Sequence, residues 1–239
     1  AFRSGDEIEI TLKMHGTSQR TGFLPVFSGF RRTIWDKLFR RDGEPIYAYD
    51  IVTGTRRTVI NGEDGGYYGS NAFRMPHSEL FRGKLWKGET VYYEVVGFTD
   101  AGVPIMAECG NKKLNDKEFV KQYGETTTFS YGCERPNSDI YVYRMTMTNE
   151  DGNVVEYTPD FMRYRCEQMG AKTVPVMWKG VIPALNLAEQ TPGDWVKTQA
   201  EYYYDGPDPI GKTHVREGVV VRILNRPKFC AYKHKNFLF

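Results

Sequence analysis

Three short stretches of the 239-residue sequence combine residue types that can do chemistry. The first is Lys13-Met14-His15-Gly16-Thr17-Ser18. A lysine closes an alternating run, and a glycine follows three places on, where the missing side chain lets the backbone turn tightly and approach a ligand. The second is Glu217-Gly218-Val219-Val220-Val221-Arg222. An acid stands at the mouth of an apolar run, where a carboxylate can hold a divalent metal directly or through water. The third is Lys233-His234-Lys235. On a strand the two lysines project to one side about 7 Å apart, and like charges repel unless an anion lies between them. Taken singly, each stretch has an ordinary alternative: a surface lysine at a strand end, a turn acid before a buried strand, and a lysine-guarded edge strand. Phe229, Phe237 and Phe239 argue against the third being wholly solvated.

The elements that must position these residues are mostly strands. Residues 7–13 alternate, with Ile8, Ile10 and Leu12 on one face and Glu7, Glu9, Thr11 and Lys13 on the other. Residues 90–98 are β-branched and aromatic, and 139–148 alternate before a turn at 149–153 and a short run at 154–157. Residues 218–224 are apolar on both faces, as in a central strand, and 229–239 make one more strand. Helices are fewer. Residues 30–41 place Phe30, Ile34 and Leu38 at i, i+4 and i+8, with Arg31, Arg32, Lys37 and Arg41 available for the other side. Asn115 and Glu118 read as a capping box before 119–123. Thr158-Pro159 opens a helix that runs to Met169 and closes at Gly170, and 194–204 is a fourth candidate. The glycine-rich stretch 61–70 reads as a loop. The fold class is α+β, with antiparallel sheets flanked by helices.

In this order the three stretches resemble the motifs of the covalent nucleotidyltransferases, the superfamily of polynucleotide ligases and capping enzymes: K-x-[DH]-G, then E-G before apolar residues, then K-x-K. With His15 in place of an aspartate, the wording is most similar to the phage-type ATP-dependent RNA ligases. Two intermediate motifs also have counterparts. Tyr93-Glu94-Val95-Val96-Gly97 resembles the one whose strand glutamate contacts the ribose. Ile140-Tyr141-Val142-Tyr143-Arg144 resembles the one whose aromatic stacks on adenine. The resemblance runs from Lys13 to Lys235. It implies an ATP-grasp-like nucleotidyltransferase domain using ATP and Mg²⁺ or Mn²⁺ on RNA with 5′-phosphate and 3′-hydroxyl ends. Lys13 would attack ATP to give lysine–AMP, the AMP would pass to the RNA 5′-phosphate, and the 3′-hydroxyl would displace it.

The residues suit that chemistry. A lysine with an ordinary pKa near 10.4 must lose its proton to attack. Lys233, Lys235 and a metal organised by Glu217 would supply the positive charge that favours the loss and neutralises the departing pyrophosphate. Glu94 would accept from a ribose hydroxyl. Tyr141 and Tyr143 share a strand face and either could stack on the base, with family placement favouring Tyr143. Leu12 and Gly16 flank the lysine against the nucleotide. His15 would help hold the ribose or the metal, or be structural. For the family's phosphate-binding arginine the first choice is Arg56 and the second Arg20. Arg222 is expected to pair with an acid. The helix with Arg31, Arg32, Lys37, Arg40 and Arg41 is either an RNA-backbone contact or a solvated face.

Composition narrows the rest. Hydrophobic residues are 40% and charged residues 26%, which excludes bulk disorder, and a net charge of +2 excludes a histone-like coat. There is no 18-residue apolar window, no P-loop pattern and no zinc spacing among the histidines and cysteines. The four cysteines, without a C-x-x-C, read as reduced thiols, hence a cytoplasmic setting. The chain reads as one adenylation domain over 1–239 and is expected to lack the upstream element and C-terminal domain common in the family it resembles. A DNA ligase, a capping enzyme and a non-catalytic β-rich RNA-binding module are the alternatives.

Overall fold

The computed structural model describes residues 2–39, 41–60, 68 and 70–236. Two antiparallel sheets carry the fold. The first has the order β11-β10-β1-β9, built from β1 (Glu7–Leu12), β9 (Val176–Val181), β10 (Gly218–Ile223) and β11 (Cys230–Lys235). The second has the order β3-β2-β4-β7-β8, from β2 (Thr17–Arg31), β3 (Glu44–Gly54), β4 (Glu89–Gly97), β7 (Ser138–Thr148) and β8 (Val154–Glu156). A small pair, β5 (Cys109–Gly110) and β6 (Thr126–Thr127), lies apart. The helices are α1 (Ile34–Leu38), α2 (Met75–Glu79), α3 (Lys117–Tyr123), α4 (Pro159–Met169) and α5 (Pro192–Glu201).

Hydrophobic burial places the layers. The alternation of β1 puts Ile8 and Ile10 into a core shared with Val219, Val221 and α5 (Val196, Ala200). The second sheet packs Val91, Tyr93, Val95 and Val142 on Met162, Cys166 and Met169 of α4. Each buried methionine there contributes roughly 1.5–3 kcal/mol. A third cluster, with Leu12, Met14, Val96, Tyr141 and Val174, joins the two sheets. All four cysteines are unpaired, and among the described residues no helix is long and apolar enough to cross a membrane.

Helix α4 has the anticipated ends: Thr158 accepts from Phe161 N, and Gly170 closes it at φ 71°. Elsewhere the boundaries move. The cap of α3 is Asp116, which accepts from Phe119 N, whereas Asn115 takes a left-handed φ of 54° and closes the preceding turn. Helix α5 starts earlier, at Pro192, with Asp194 serving as the acid of a capping box on Thr191. The expected helix over 30–41 shrinks to α1, because Phe30 and Arg31 extend β2, and Ile34 and Leu38 bury nothing. No layer stands behind that segment to reward an apolar stripe. Strands β2, β3 and β9 were not anticipated. Gly22, Pro25, Gly29 and Pro45 interrupt the usual strand pattern, and β2 buries the polar Gln19 and Thr21 through hydrogen bonds instead of apolar contact. Arg40, Phe237, Phe239 and the stretch 61–70, apart from Tyr68 and Ser70, lie outside the described residues.

Candidate active site

Strand pairing assembles the site. In the β1–β10 register Leu12 faces Val219, so the end of β1 meets the start of β10 and Lys13 N donates to Gly218 O at 3.0 Å. In the β10–β11 register Gly218 faces Lys235. Lys13, Glu217 and Lys235 thereby converge from distant parts of the chain. Gly218 has φ +136°, and a Cβ there would stand 2.1 Å from His234 O, so only glycine permits this close crossing.

Glu217 is the hub. Its Oε2 pairs with Lys13 Nζ and lies 3.4 Å from His15 Nδ1, while Oε1 lies 3.4 Å from Lys235 Nζ. Its side chain is 3% exposed, against 14% for Lys13 and 49% for Lys235. Burial alone would push the carboxyl up, but hydrogen bonds from His15 and Lys13 and the charge of Lys13 hold it below its ordinary value. His15 is fixed by a 2.6 Å bond from its backbone N–H to the Tyr131 hydroxyl and by an edge contact with Phe129. The closest charged neighbour of Lys13 is thus the Glu217 carboxylate, with Lys235 on its other oxygen and Lys233 lining the same cleft.

From Lys13 a cleft of about 550 Å³ runs between the two sheets. Glu9, Thr11 and Lys13, the polar face of β1, form part of its floor beside Val220, Arg222 and Lys233. The facing sheet contributes Ser18, Arg20, Tyr92, Glu94 and Tyr143, and Leu12 and Arg56 also line it. Glu94 is pushed up to about 7, chiefly by burial and further by Glu217; Lys13, Lys233 and the Gly16 amide, which donates to it, pull the other way. Tyr143 sits at an irregularity in the β4–β7 register, where Tyr92 faces Arg144 and Tyr93 faces Val142. A bulge of this kind re-aims a side chain; Tyr143 lines the cleft and its hydroxyl lies 2.9 Å from Ser18 Oγ.

Two expectations change, and a third gains a packing reason. Tyr141 does not line the cleft; it packs in the cluster joining the sheets, 6% exposed. Gly16 is also needed for packing against β4: a Cβ there would stand 2.4 Å from Val95 O. Arg222 has no ion pair among the described residues. Its Nη2 donates to Tyr157 O at 2.9 Å and its guanidinium lies 4.9 Å from the Phe229 ring, and burial lowers its pKa.

Residues not singled out from sequence fill the far end. Arg163 joins Glu9 at 2.8 Å, and Arg144 forks onto Glu156 while lying 4.7 Å from Phe229. The alternation of 7–13 had already put Glu9 and Thr11 on the face of Lys13, which was the available signal. Arg144 and Arg163 had none, because their approach to the cleft depends on how the second sheet and α4 dock.

Comparison with known proteins follows from this geometry. The structure of Naegleria gruberi RNA ligase with PPi superposes with a TM-score of 0.50 at 14% identity, covering 97% of this chain and 50% of that one. A lysine-to-alanine mutant of the same enzyme with ATP and Mn gives 0.50 at 15% identity, with the same coverages. The chain thus spans about half the length of these structures, and the likeness is one of fold. No curated protein matches the sequence. A family model described as RNA ligase matches residues 6–234, a span that runs from the first residues of the first sheet into its last strand and includes Lys13, Glu217 and Lys233, and so the chain belongs to the RNA ligase family.

Proposed function

We propose that this chain is the nucleotidyltransferase domain of an ATP-dependent RNA ligase and that Lys13 is its nucleophile. The observation that carries this reading is the convergence of Lys13, Glu217 and Lys235 at the head of a cleft whose wall presents Glu94 and Tyr143.

In this reading the adenine stacks on Tyr143, the ribose hydroxyls meet Glu94, and the phosphates extend toward Lys233, Arg20 and Arg56. Lys13 is held as an ion pair by Glu217. It must release that contact and its proton before its nitrogen can bond the α-phosphorus. As the N–P bond forms, the bond from phosphorus to the bridging oxygen breaks and pyrophosphate leaves. A 5′-phosphate oxygen of RNA then attacks the same phosphorus and frees Lys13. The 3′-hydroxyl finally attacks the RNA 5′-phosphorus, a phosphodiester forms and AMP departs. Lys233 and Lys235 balance the charge that builds on the phosphates, an effect worth on the order of 10²–10³ in rate for one well-placed donor.

Among the described residues no group of three or more His, Cys, Asp and Glu side chains gathers at one point. The donor set fits Mg²⁺ or Mn²⁺ as an ion ligated largely by phosphates and water, with Glu217 as the carboxylate that would hold it directly or through water. Such an ion would neutralise triphosphate charge.

The test is intact-protein mass spectrometry after incubation with ATP and Mg²⁺, beside Lys13→Ala. The native protein should gain one AMP and the variant none. No adduct with ATP, GTP or NAD, from folded protein free of bound AMP, would overturn the reading.

A further inference from the structure

Beyond Gly22, β2 pairs with β3 alone. Residues 24–31 and 44–50 thus form a two-stranded ribbon that leaves the body of the protein beyond Phe23 and Ile51, which still pack against the core, and eight extended residues reach about 26 Å. Such a ribbon has no core of its own, yet it is rich in aromatic rings. Phe27, Tyr47, Trp35 and Phe39 are 50%, 59%, 68% and 61% exposed. Phe27 lies 5.0 Å from Phe30 and 6.1 Å from Tyr47, centroid to centroid. At the tip, Trp35 and Phe39 stack at 6.2 Å with their planes 13° apart, on a helix that buries none of its residues.

The patch is not simply apolar. Arg31, Arg32, Lys37 and Arg41 are interleaved with the rings, and the Arg41 guanidinium lies 5.8 Å from the Phe39 centroid. Arg32 approaches Asp42 at 3.6 Å. Arg31, Lys37 and Arg41 meet no carboxylate at ion-pair distance among the described residues. Rings alternating with such cations match unpaired nucleic acid, whose bases stack on the rings while its phosphates meet the charges. An apolar partner would leave those cations to be desolvated without counter-charges. The root of the ribbon is also the rim of the cleft. Arg20, which faces Gly54 across the ribbon, and Arg56 both line it. The strand that offers Ser18 and Arg20 to the cleft is the one that carries Phe27 and Phe30 outward.

We propose that this ribbon is an arm that grips single-stranded RNA and leads its end to the cleft, with Trp35 and Phe39 as the stacking platform. The proposal rests on the RNA ligase reading of the cleft, but the arm acts in binding, before any bond is made.

The experiment is fluorescence anisotropy with a labelled single-stranded RNA oligonucleotide. The double substitution Trp35→Ala, Phe39→Ala should weaken binding about tenfold or more, and Trp35→Phe, which keeps a ring, should stay within about threefold. AMP transfer to Lys13 without RNA should be unchanged in both. Unaltered affinity in the double variant overturns the proposal. So does a shift in solution mass from dimer to monomer on substitution, since the patch would then join two copies. If the native protein forms no AMP adduct while the ring effect persists, the catalytic reading fails and the arm stands.

Discussion

Glu89 and Glu217 are both buried carboxylates, each at the start of a central strand, yet their surroundings differ in kind. Glu89 is fully buried and fully matched. Arg165 forks onto it at 2.9 and 2.7 Å, the Tyr157 hydroxyl donates at 3.0 Å, and the Trp86 amide donates at 2.8 Å. The guanidinium itself lies 3.9 Å from the Trp86 ring centroid and donates to Lys84 O. Glu217 instead faces three side chains that can carry positive charge, two of them at a loose 3.4 Å, and two of its partners are lysines, one of them half-exposed. A carboxylate held by a planar fork and a backbone amide is fixed in one geometry. One shared among single-point ammonium groups can exchange partners when a phosphate arrives. The first arrangement ties a helix to a sheet; the second suits Lys13 to the nucleophilic role proposed for it.

The contrast can be broken by substitution. Glu89→Ala leaves a buried guanidinium unpaired and should cost about 3–5 kcal/mol of stability, read from denaturant melts, while AMP transfer per folded molecule survives. Glu217→Gln should do the reverse: the rate of AMP transfer falls about 10²–10³-fold, with a smaller stability loss than Glu89→Ala, because Lys13 and Lys235 can rehydrate. Equal stability losses in the two variants would erase the distinction.

Smaller effects sharpen the picture of the cleft. Tyr143→Ala should raise the ATP concentration needed for half-maximal adduct formation by roughly tenfold, the worth of one base stack. No change would mean that the base lies elsewhere. The weakest signal is a slope. With its carboxyl pushed up to about 7 from an ordinary 4.5, Glu94 stays protonated in the folded chain where the unfolded chain has already ionised. Its contribution therefore lowers stability as pH rises from about 4.5 to about 7, by no more than one proton's worth, about 1.4 kcal/mol per pH unit. Glu94→Gln should flatten that interval in denaturant melts taken across pH. An unchanged slope would assign the burial cost to another group.

Much of the site was legible because it lies at the ends of strands whose patterns are clean. The period-2 alternation of 7–13 placed Ile8 and Ile10 inward and Glu9, Thr11 and Lys13 together, and the apolar run after Gly218 marked an inner strand. Thr158 and Gly170 bounded α4 because capping chemistry is local. The ribbon was illegible for the opposite reason. Its rings repeat at both helical and strand spacing, and no core selects between them, so 30–41 read as an amphipathic helix where the chain makes a strand and a short exposed turn of helix.

By itself, then, the sequence determined which residues carry charge, which strands bear them, and on which face of the first strand they stand. Only the tertiary structure decided who meets whom. Antiparallel register brought Glu217 against Lys13, a bulge turned Tyr143 toward the cleft while Tyr141 stayed in the core, and sheet docking delivered Arg144 and Arg163 to the far wall. Those contacts join residues far apart along the chain. Local pattern cannot encode them, because they arise when separate apolar faces are buried against one another and a single register satisfies the backbone between them.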